Sequence, residues 1–548
     1  MNSLKPMLLS SLKNYDKSQF VKDVTAGIIV AIIALPLSIA LALASGVGPE
    51  AGIFTAIVAG FVISALGGSS VQIAGPTAAF ATIVAGIVAH DGMDGLIVAT
   101  ILAGIFLILM GLCHFGSLIK FIPFTITTGF TSGIAVTIVI GQLKDFFGLT
   151  FPTGVKPIET VEKFEAVINN FSTINMDAVI VGVVSLAILI IAPYIFKRIP
   201  GSLLAVIAGI LMVQFLPLKV NTIGNLYTIS NALPTLHFPS LSLNMIQNAL
   251  PNALTIAVLA AIESLLSCVV ADGMINGKHR SDMELVAQGA GNIASALFGG
   301  IPATGAIART AANIKNGGRT PIAGMVHSIT LVIVLVVLMP YAGMIPMPTI
   351  AAILFIVAYN MCQWRTFVNL VKTAPKSDII VLVTSFVLTV IFDLVVAIEV
   401  GMVLACLLFI KRMSEETKVN GWTYVDDDTP DVDEHLQKLP LQIRVYEISG
   451  PLFFGAAGVI EEIAVKDFTT CLVLRMRSVP ALDSTALNAL KDLVQVCESK
   501  GITIVFSHVN DQPMKVTEKA GFIELVGEEN FQPSISAALD RAEEIIHK

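Results

Sequence analysis

Apolar runs separated by short polar links dominate the first three quarters of the chain. Between residues 24 and 119 the only acidic or basic side chains apart from histidine are Glu50, Asp91 and Asp94. Apolar runs of about 15 to 22 residues have the length of helices that cross a bilayer. The pattern predicts fourteen segments, two of them short, near residues 24–45, 51–67, 75–89, 95–113, 120–141, 176–196, 201–217, 250–270, 284–298, 305–314, 321–339, 344–360, 377–392 and 394–411.

Basic residues test this division independently, because lysine and arginine collect in the cytosolic links of membrane proteins. They fall in every second predicted link: the N-terminal lysines, Lys120, Lys197 and Arg198, Lys278 and Arg280, Lys315 and Arg319, and Arg365, Lys372 and Lys376. The opposite links hold the three acidic residues named above and a longer connection over residues 142–175. We therefore expect a multi-pass protein of the cytoplasmic membrane with both ends in the cytosol.

Composition agrees with a membrane protein, since 55% of the 548 residues are hydrophobic, 13% are charged and the mean hydropathy is +0.82. The net charge of -7 does not indicate the charge of a solute, because many of the acidic residues lie after residue 412. The six cysteines match neither a metal-ligand spacing nor a disulfide framework. No phosphate-binding loop of the form G-x-x-x-x-G-K-[ST] occurs, which disfavours a nucleotide-driven pump. We expect no metal, no enzyme activity and no nucleic-acid partner.

Ordinary soluble patterns return after Lys411 and Arg412. Strand-like runs at residues 441–448, 471–476 and 502–506 alternate with helix-like runs at 456–464, 484–499 and 533–546. This alternation predicts a small α/β domain. The chain thus divides into a cytosolic N-terminal segment 1–22, a transmembrane domain 23–412, an acidic linker 413–440 and a C-terminal domain 441–548.

Two apolar segments contain turn residues at membrane depth. Residues 71–80 include Gly75 and Pro76, and residues 299–310 include Arg309. Broken helices survive at this depth only where protein or a water-filled cavity satisfies their backbone. Each segment follows a Gly-Gly pair and stands third in a set of seven. The arrangement predicts two repeats of opposite topology, with a solute site where the broken segments meet.

Candidate anion donors lie at the starts of two half-helices, near Pro76 and Ala306. Unpaired N–H groups and the helix dipole give each start roughly half a positive charge, so two starts that face one cavity form an anion site. Thr77, Thr304 and Thr310 could add hydroxyl donors. Arg309 would cost about 2.5–3.5 kcal/mol or more in lipid, so we expect it to face a cavity. Its planar donor fork suits carboxylate or sulfate oxygens, and a structural ion pair is the alternative.

Glu263 is a second charged residue inside an apolar run, and Ser267 lies one helical turn further on the same face. Burial would favour the protonated carboxyl, whereas a neighbouring Arg309 would favour the ionised form, so its proton occupancy should respond to a bound anion. Glu263 would then be a proton-coupling group or a cation ligand. A structural partner for Arg309 is the alternative. His327 lies inside a predicted span, and we expect it to be a packed or hydrogen-bonded helix residue rather than part of a proton relay.

Several runs, taken together and in this order, carry a family resemblance: Ala34–Pro36, Gly75–Thr77, Glu263–Leu266 with Ala271 and Asp272, Gly289–Asn292 and Gly299–Asn313. They resemble the SulP family of anion transporters, solute carrier family 26 in animals, and the tail resembles the family's STAS domain. The resemblance implies a polytopic α-helical protein of two inverted seven-segment repeats. It also implies a core domain of segments 1 to 4 and 8 to 11, a gate domain, and a homodimer with cytosolic STAS domains.

The resemblance also implies the residues of the site. They are Ser38 and Leu41 from segment 1, Thr77 and Ala78 from segment 3, Glu263 and Ser267 from segment 8, and Gly305, Ala306 and Arg309 at segment 10. Sodium-coupled bicarbonate members carry an aspartate at the position of Glu263 and no arginine at that of Arg309. The runs 306–309 and 272–274 look more like the bacterial branch that moves C4-dicarboxylates with protons.

We therefore expect a secondary active transporter of sulfate or a C4-dicarboxylate, which works by proton symport or anion exchange with an elevator-like core movement. No cofactor is expected, and sodium is the other candidate coupling ion. A bicarbonate transporter and an anion channel are the alternatives; a nucleobase transporter would need a carboxylate where Arg309 stands. Expected partners are the anion, the bilayer, a second copy of the chain and a cytosolic protein at the STAS domain.

Ser484, in a run like the STAS phosphorylation loop, is expected to cap a helix, with regulatory phosphorylation as the alternative.

Overall fold

The computed structural model describes residues 4–117, 122–152, 157–196, 200–239, 242–392, 394–421, 439–461, 463 and 468–547, and the structural statements below concern these residues. The chain divides into two compact units, Met1–Met402 and Val403–Lys548. Most of the predicted acidic linker lies outside the described residues. So do Lys120, Lys197 and Arg198 of the predicted cytosolic links.

Apolar helices joined by short links build the first unit. Eight helices in the described part of the chain are long and apolar enough to cross a membrane. Most are apolar on all sides, as expected where lipid and protein rather than water surround a helix. The helices that begin in this unit are α1 (Met7–Ser11), α2 (Lys17–Ala44), α3 (Pro49–Leu66), α4 (Ala81–Leu112), α5 (Phe124–Phe147), α6 (Thr160–Asn169), α7 (Met176–Ile195), α8 (Gly201–Phe215), α9 (Ile223–Leu226), α10 (Leu243–Ile275), α11 (Ser281–Leu297), α12 (Ile307–Lys315), α13 (Ile322–Ala342), α14 (Met347–Cys362), α15 (Trp364–Thr373), α16 (Lys376–Ile391) and α17 (Leu394–Glu416).

The fourteen predicted segments correspond to described helices once α4 is divided at Gly92. That glycine has a left-handed φ of 71° and interrupts the helix. The first set of seven is then α2, α3, the two parts of α4, α5, α7 and α8. The second set is α10, α11, α12, α13, α14, α16 and α17.

Several predicted segment boundaries were wrong, because the interior accepts polar groups that an apolar pattern excludes. Helix α2 begins at Lys17 rather than near 24, and it includes the buried Asp23. Asp23 accepts hydrogen bonds from the Thr320 hydroxyl at 2.6 Å and the Arg319 N–H at 2.9 Å. Helix α10 extends to Leu243 and Ile275, well beyond 250–270.

The first half-helix begins later than the sequence predicts, whereas the second begins next to the predicted Ala306. Helix α4 starts at Ala81, after a short 3₁₀ turn, and α12 starts at Ile307. The residues before them are two short extended strands, β1 (Ala74–Gly75) and β2 (Thr304–Gly305).

Two groups of helices pack among themselves. Helices α2, α3 and α4 pack with α10, α11 and α13, whereas α5 packs against α14 and α16. Small residues allow the closest approach: a Cβ atom built on Gly104 would lie 2.6 Å from the Gly289 carbonyl oxygen, so the backbones of α4 and α11 touch there. The two groups follow the predicted division into a core and a gate.

The second unit contains a five-stranded sheet with helices on both faces. Its strands, in sheet order, are β3 (Lys418–Gly421), β4 (Ile443–Ser449), β5 (Cys471–Ser478), β6 (Thr503–Ser507) and β7 (Phe531–Gln532). Strand β3 is antiparallel to β4 and the other pairs are parallel. The helices are α18 (Ser484–Ser499), α19 (Asp511–Lys519), α20 (Phe522–Val526) and α21 (Ile535–His547). This is the predicted α/β domain.

The alternation of buried residues explains the two-sided sheet. Leu472 and Leu474 of β5 pack into one apolar cluster, and Cys471 and Val473 into another on the opposite face. Two details differ from the prediction. The described residues of the run 456–464 form a short 3₁₀ turn at Ala457–Ile460, and β3 lies in the stretch taken for linker. Both are short elements whose sequence signal is weak.

Candidate functional site

The two broken segments meet, as the sequence predicts. Strands β1 and β2 pair antiparallel, with Ala74 opposite Gly305 and Gly75 opposite Thr304. The Ala306 N–H also donates to the Ile73 carbonyl oxygen at 2.9 Å. Extended backbone inside a membrane must satisfy its polar groups within the protein, and here each segment satisfies the other. We call this contact the crossing, meaning Ile73–Thr77 and Thr304–Arg309.

Each half-helix starts at the crossing without a side-chain cap. Thr77 and Ala306 have extended backbone and precede the first helical turns, and neither side chain accepts a capping hydrogen bond in the described structure. The first N–H groups of both helices are therefore available to a ligand. Because the dipoles of α4 and α12 both present their positive ends here, the crossing favours an anion.

Arg309 is buried at the crossing, with 2% of its surface exposed. Its Nη2 atom donates to the Pro76 carbonyl oxygen at 2.8 Å, so the second broken segment holds the first. Among the described residues, Nε and Nη1 have no hydrogen-bond partner. A Cβ atom on Gly75 would lie 2.2 Å from Nη1, which explains why a glycine stands there. Two donor nitrogens of a buried cation, with three N–H groups between them, are thus unused by the described residues.

Glu263 does not form an ion pair with Arg309, which was the alternative role for this carboxyl. No ion pair between them occurs among the described residues. Instead, the Thr77 hydroxyl donates to Glu263 Oε2 at 2.9 Å. Both side chains are partly exposed, unlike Arg309. The carboxyl therefore lines accessible space beside the first half-helix.

The remaining predicted site residues lie in α2, in the 3₁₀ turn before α4, in α10 and in the second broken segment. Ser38 and Ser267 are buried, and their hydroxyl oxygens have no partner among the described residues. Leu41 and Ala78 are also buried, with 2% and 6% exposure. Gly305 lies in β2, beside Ala306.

His327 is fully buried, and its packing agrees with the prediction. Neither of its ring nitrogens has a hydrogen-bond partner among the described residues.

Sequence reasoning named Thr310 but missed the other polar residues that support the crossing. Ile73 N–H donates to Thr310 Oγ1 at 3.0 Å, and Asn313 donates to the Val71 carbonyl oxygen at 2.8 Å. Asn292 of α11 binds both the N–H and the carbonyl oxygen of Ala303, at 2.8 and 2.9 Å. Gln72 and Glu284 complete the set. The available signal was the presence of amide and carboxyl side chains in otherwise apolar helices.

A cavity of about 380 Å³ lies between the two groups of helices. Thr82 and His90 of α4 and Thr255 of α10 line one side, and Thr137 of α5 and Thr389 of α16 line the other. Thr82 is five residues beyond Thr77 in the chain, and Thr255 lies about two helical turns from Glu263 along α10. No described residue of the crossing lines the cavity itself.

In the second unit, the N-cap of α18 is Asp483 and not Ser484, which corrects the prediction. Asp483 Oδ1 accepts from the Ala486 N–H at 2.9 Å, and Oδ2 accepts from the Phe454 N–H at 2.8 Å. Ser484 is the first helical residue and is exposed. A carboxylate at this position satisfies the helix start, which leaves the serine hydroxyl without a capping role.

The protein has two sets of seven membrane segments, whose broken segments meet at the crossing, and an α/β domain. These features define a polytopic membrane transporter fold. Residues 20–385 match the model of the Sulfate permease family, and residues 437–538 match that of the STAS domain. The chain belongs to the Sulfate permease family.

Curated relatives cover nearly the whole chain. The protein "Putative sulfate transporter YvdB" of Bacillus subtilis (strain 168) is 38% identical over 530 residues, which are 95% of this chain and 97% of the relative. Bicarbonate transporter BicA of Picosynechococcus sp. is 31% identical over 538 residues, which are 95% of this chain and 94% of BicA.

Solved structures agree with the fold. The transmembrane domain of a cyanobacterium bicarbonate transporter BicA has 30% identity and a TM-score of 0.63, covering 70% of this chain and 98% of that one. Murine Slc26a9, an anion transporter solved in the inward-facing state, superposes with a TM-score of 0.89 over 99% of this chain and 94% of its own, at 19% identity. The second likeness concerns the fold alone.

Proposed function

We propose that this protein is a secondary active transporter of small oxyanions, with the anion bound at the crossing. The observation that carries the proposal is Arg309, whose Nε and Nη1 atoms lack partners although the side chain is buried. A buried cation with unused donors is costly unless a ligand receives them. Two uncapped helix starts add donors at the same place. The relatives described as sulfate and bicarbonate transporters support an anion as the solute.

A doubly charged oxyanion, sulfate or a C4-dicarboxylate, is the substrate class we propose. Arg309 offers a planar pair of donors that matches two oxygens of one carboxylate or sulfate. A singly charged anion would leave more of the positive charge at the crossing unmatched. Bicarbonate is the second candidate, because two of the relatives carry that name.

Proton coupling is the mode of energy input that we propose, and Glu263 is the coupling residue. Its carboxyl is partly exposed, accepts one described hydrogen bond from Thr77, and lacks a cationic partner among the described residues. A carboxyl in this setting gains and loses a proton more readily than one saturated with donors. Sodium is the other candidate ion, with Glu263 and Ser267 as its oxygen donors.

Movement of the core group of helices against the gate group would carry the anion across the membrane. The two groups pack mainly within themselves, and the 380 Å³ cavity lies between them. A channel would keep this path open from both sides.

We place the protein in the cytoplasmic membrane with both termini and the STAS domain in the cytosol, as a homodimer without enzyme activity or cofactor. The exposed Ser484 is a candidate phosphorylation site, and the STAS domain a candidate docking site for a cytosolic protein.

Uptake by proteoliposomes tests the proposal. Labelled sulfate, succinate and bicarbonate are supplied separately, with and without an imposed proton gradient. We expect one of the doubly charged anions to accumulate above equilibrium only with the gradient. Flux that merely follows the anion gradient would identify a channel, and uptake of bicarbonate alone would identify the other substrate.

Arg309→Ala is the matching variant. Charge-assisted hydrogen bonds contribute about 1.5–3 kcal/mol each, so uptake at low substrate concentration should fall roughly 10- to 100-fold. Arg365→Ala is the control, since Arg365 is an exposed arginine on α15. Transport that is unchanged in Arg309→Ala would remove the crossing as the anion site.

A further inference from the structure

Glu284 is a buried carboxylate that the transport mechanism above does not use. It is fully buried in α11. Its Oε2 atom accepts from the N–H groups of Gly68 at 2.9 Å and Ser69 at 3.1 Å. Its Oε1 atom accepts from Gln72 Nε2 and Gln288 Nε2, both at 2.8 Å. Three of these four donors lie in the five residues that lead into the first broken segment.

Gln72 connects this carboxylate to the crossing. Its side chain lies against the backbone of Gly305, where an added Cβ atom would be only 2.1 Å from Nε2. Its Oε1 atom accepts from Cys268 Sγ at 3.0 Å, and Cys268 is the neighbour of Ser267 in α10. One buried amide therefore contacts α10, α11 and the second broken segment, while its own backbone belongs to the first.

The backbone around the crossing contains glycines and extended residues, so its geometry depends on contacts from outside the broken segments. A saturated carboxylate in the rigid helix α11 supplies such a contact. If Gln72 shifts, Gly305 and Cys268 lose the group packed against them, and the two half-helix starts change their separation. Anion affinity depends on that separation, because both starts contribute N–H donors.

We propose that Gln72 and Glu284 are positioning residues for the anion site, and that their hydrogen bond sets the spacing of the two half-helix starts. This inference rests on the function proposed above. It assigns neither residue a contact with the substrate.

Gln72→Glu tests the contact by placing two carboxylates together. Like charges at hydrogen-bond distance share one proton, so the variant should need acid to restore the contact. We expect KM for the anion to rise about tenfold or more near neutral pH, with a smaller change in kcat, and to recover at acid pH. A purely structural defect would lower the amount of folded protein without this pH profile.

The exchange variant Gln72→Glu with Glu284→Gln tests the same contact by rescue. The new amide donates to the new carboxylate, and Gln288 can turn its side chain, because Gln288 Oε1 has no hydrogen-bond partner among the described residues. We expect KM and its pH profile to return to within about threefold of wild type. A KM as high as that of Gln72→Glu alone would overturn the proposal. Gln142→Glu in α5 is the control, a buried glutamine outside the crossing.

A thiol measurement separates this inference from the proposed function. In a background that retains only Cys268, the sulfur is buried and should react slowly with a membrane-permeant maleimide. We expect rapid reaction in Gln72→Glu and renewed protection in the exchange variant, whatever the transported anion is. Equal reactivity in all three proteins would overturn the positioning role. Failure of wild-type uptake with every anion would count against the proposed function alone.

Discussion

Two glutamates inside the membrane region have opposite surroundings. Glu284 is fully buried and accepts four hydrogen bonds, from Gly68, Ser69, Gln72 and Gln288. Glu263 is partly exposed and accepts one described hydrogen bond, from Thr77. Neither has a basic partner among the described ion pairs. Both the number of donors and the burial of the carboxyl thus separate a group that holds the structure from one that can exchange a proton.

The same comparison applies to Arg309 and the helix starts at the crossing. A buried group whose hydrogen bonds are complete resists change, whereas Arg309, with two donor nitrogens unused by the described residues, is available to bind a ligand. Evolution of a solute site requires both kinds of group, because unsatisfied donors must be held in place by satisfied ones. The predictions below test this division.

The largest expected effect is on stability, from Glu284→Ala. The substitution leaves several buried donors unsatisfied, and each costs about 1–3 kcal/mol, so the total loss should be about 4 kcal/mol or more. Thermal unfolding followed by size-exclusion chromatography in detergent measures this loss. Glu263→Ala is the control; it removes a single described hydrogen bond and should lose no more than about 3 kcal/mol. Equal destabilisation by the two substitutions would contradict the comparison.

The next effect is on transport, from Glu263→Gln. The amide keeps the size of the side chain but cannot exchange a proton, so the dependence of uptake on an imposed pH gradient should disappear. Anion binding should be retained within about threefold, because Arg309 and the helix starts are unchanged. Uptake across a series of external pH values, together with equilibrium binding, checks both statements. Full proton-driven accumulation in this variant would rule out Glu263 as the coupling residue.

A smaller effect is expected from Thr77→Val. The variant removes the hydroxyl that donates to Glu263 while it keeps the shape of the side chain. A hydrogen bond to a charged group is worth about 1.5–3 kcal/mol, so the midpoint of the pH–uptake curve should shift while the amount of folded protein stays near wild type. Thr82→Val, which alters a cavity-lining threonine of the same helix, is the matched control. An unchanged midpoint in Thr77→Val would show that its hydroxyl does not set the state of the carboxyl.

Much of this fold could be predicted from the sequence, because length and apolar composition identify helices that span a bilayer. The broken segments were visible as Gly75, Pro76 and Arg309 in apolar surroundings. Their contact could be predicted from the repeat, but the pairing of Arg309 with a carbonyl oxygen rather than with Glu263 could not. Such a choice depends on distances of a few ångströms between segments far apart in sequence.

The supporting residues were harder to find. Gln72, Glu284 and Asn292 each look like a helix-end residue or an isolated polar group when the sequence is considered alone. Their role emerges only when residues more than 200 positions apart, such as Gly68 and Glu284, are placed together. The Ser484 prediction was wrong for a local reason, since the preceding Asp483 is an equally good capping residue and occupies the position.

The smallest expected effect concerns Asp23, a third carboxylate, which is saturated like Glu284. It accepts from the Tyr15 hydroxyl at 3.1 Å, from Gln19 Nε2 at 2.9 Å and from the Thr320 hydroxyl at 2.6 Å. Burial, and then the charge of Asp23, raise the pKa of Tyr15 to about 12 from 10.0. Because the folded state favours the neutral phenol, this contribution to stability is complete below pH 10 and is lost as the pH rises through about 12.

Tyr15→Phe should therefore lower stability slightly at neutral pH and remove part of the loss seen in alkali. One hydrogen bond among several donors to Asp23 is expected to contribute about 1 kcal/mol. Thermal unfolding at neutral pH and at about pH 11 measures both effects, with ultraviolet titration of the tyrosines as a check on the ionisation. A large loss at neutral pH would mean that Asp23 depends on this single donor. In that case the number of hydrogen bonds would no longer distinguish the structural carboxylates from Glu263.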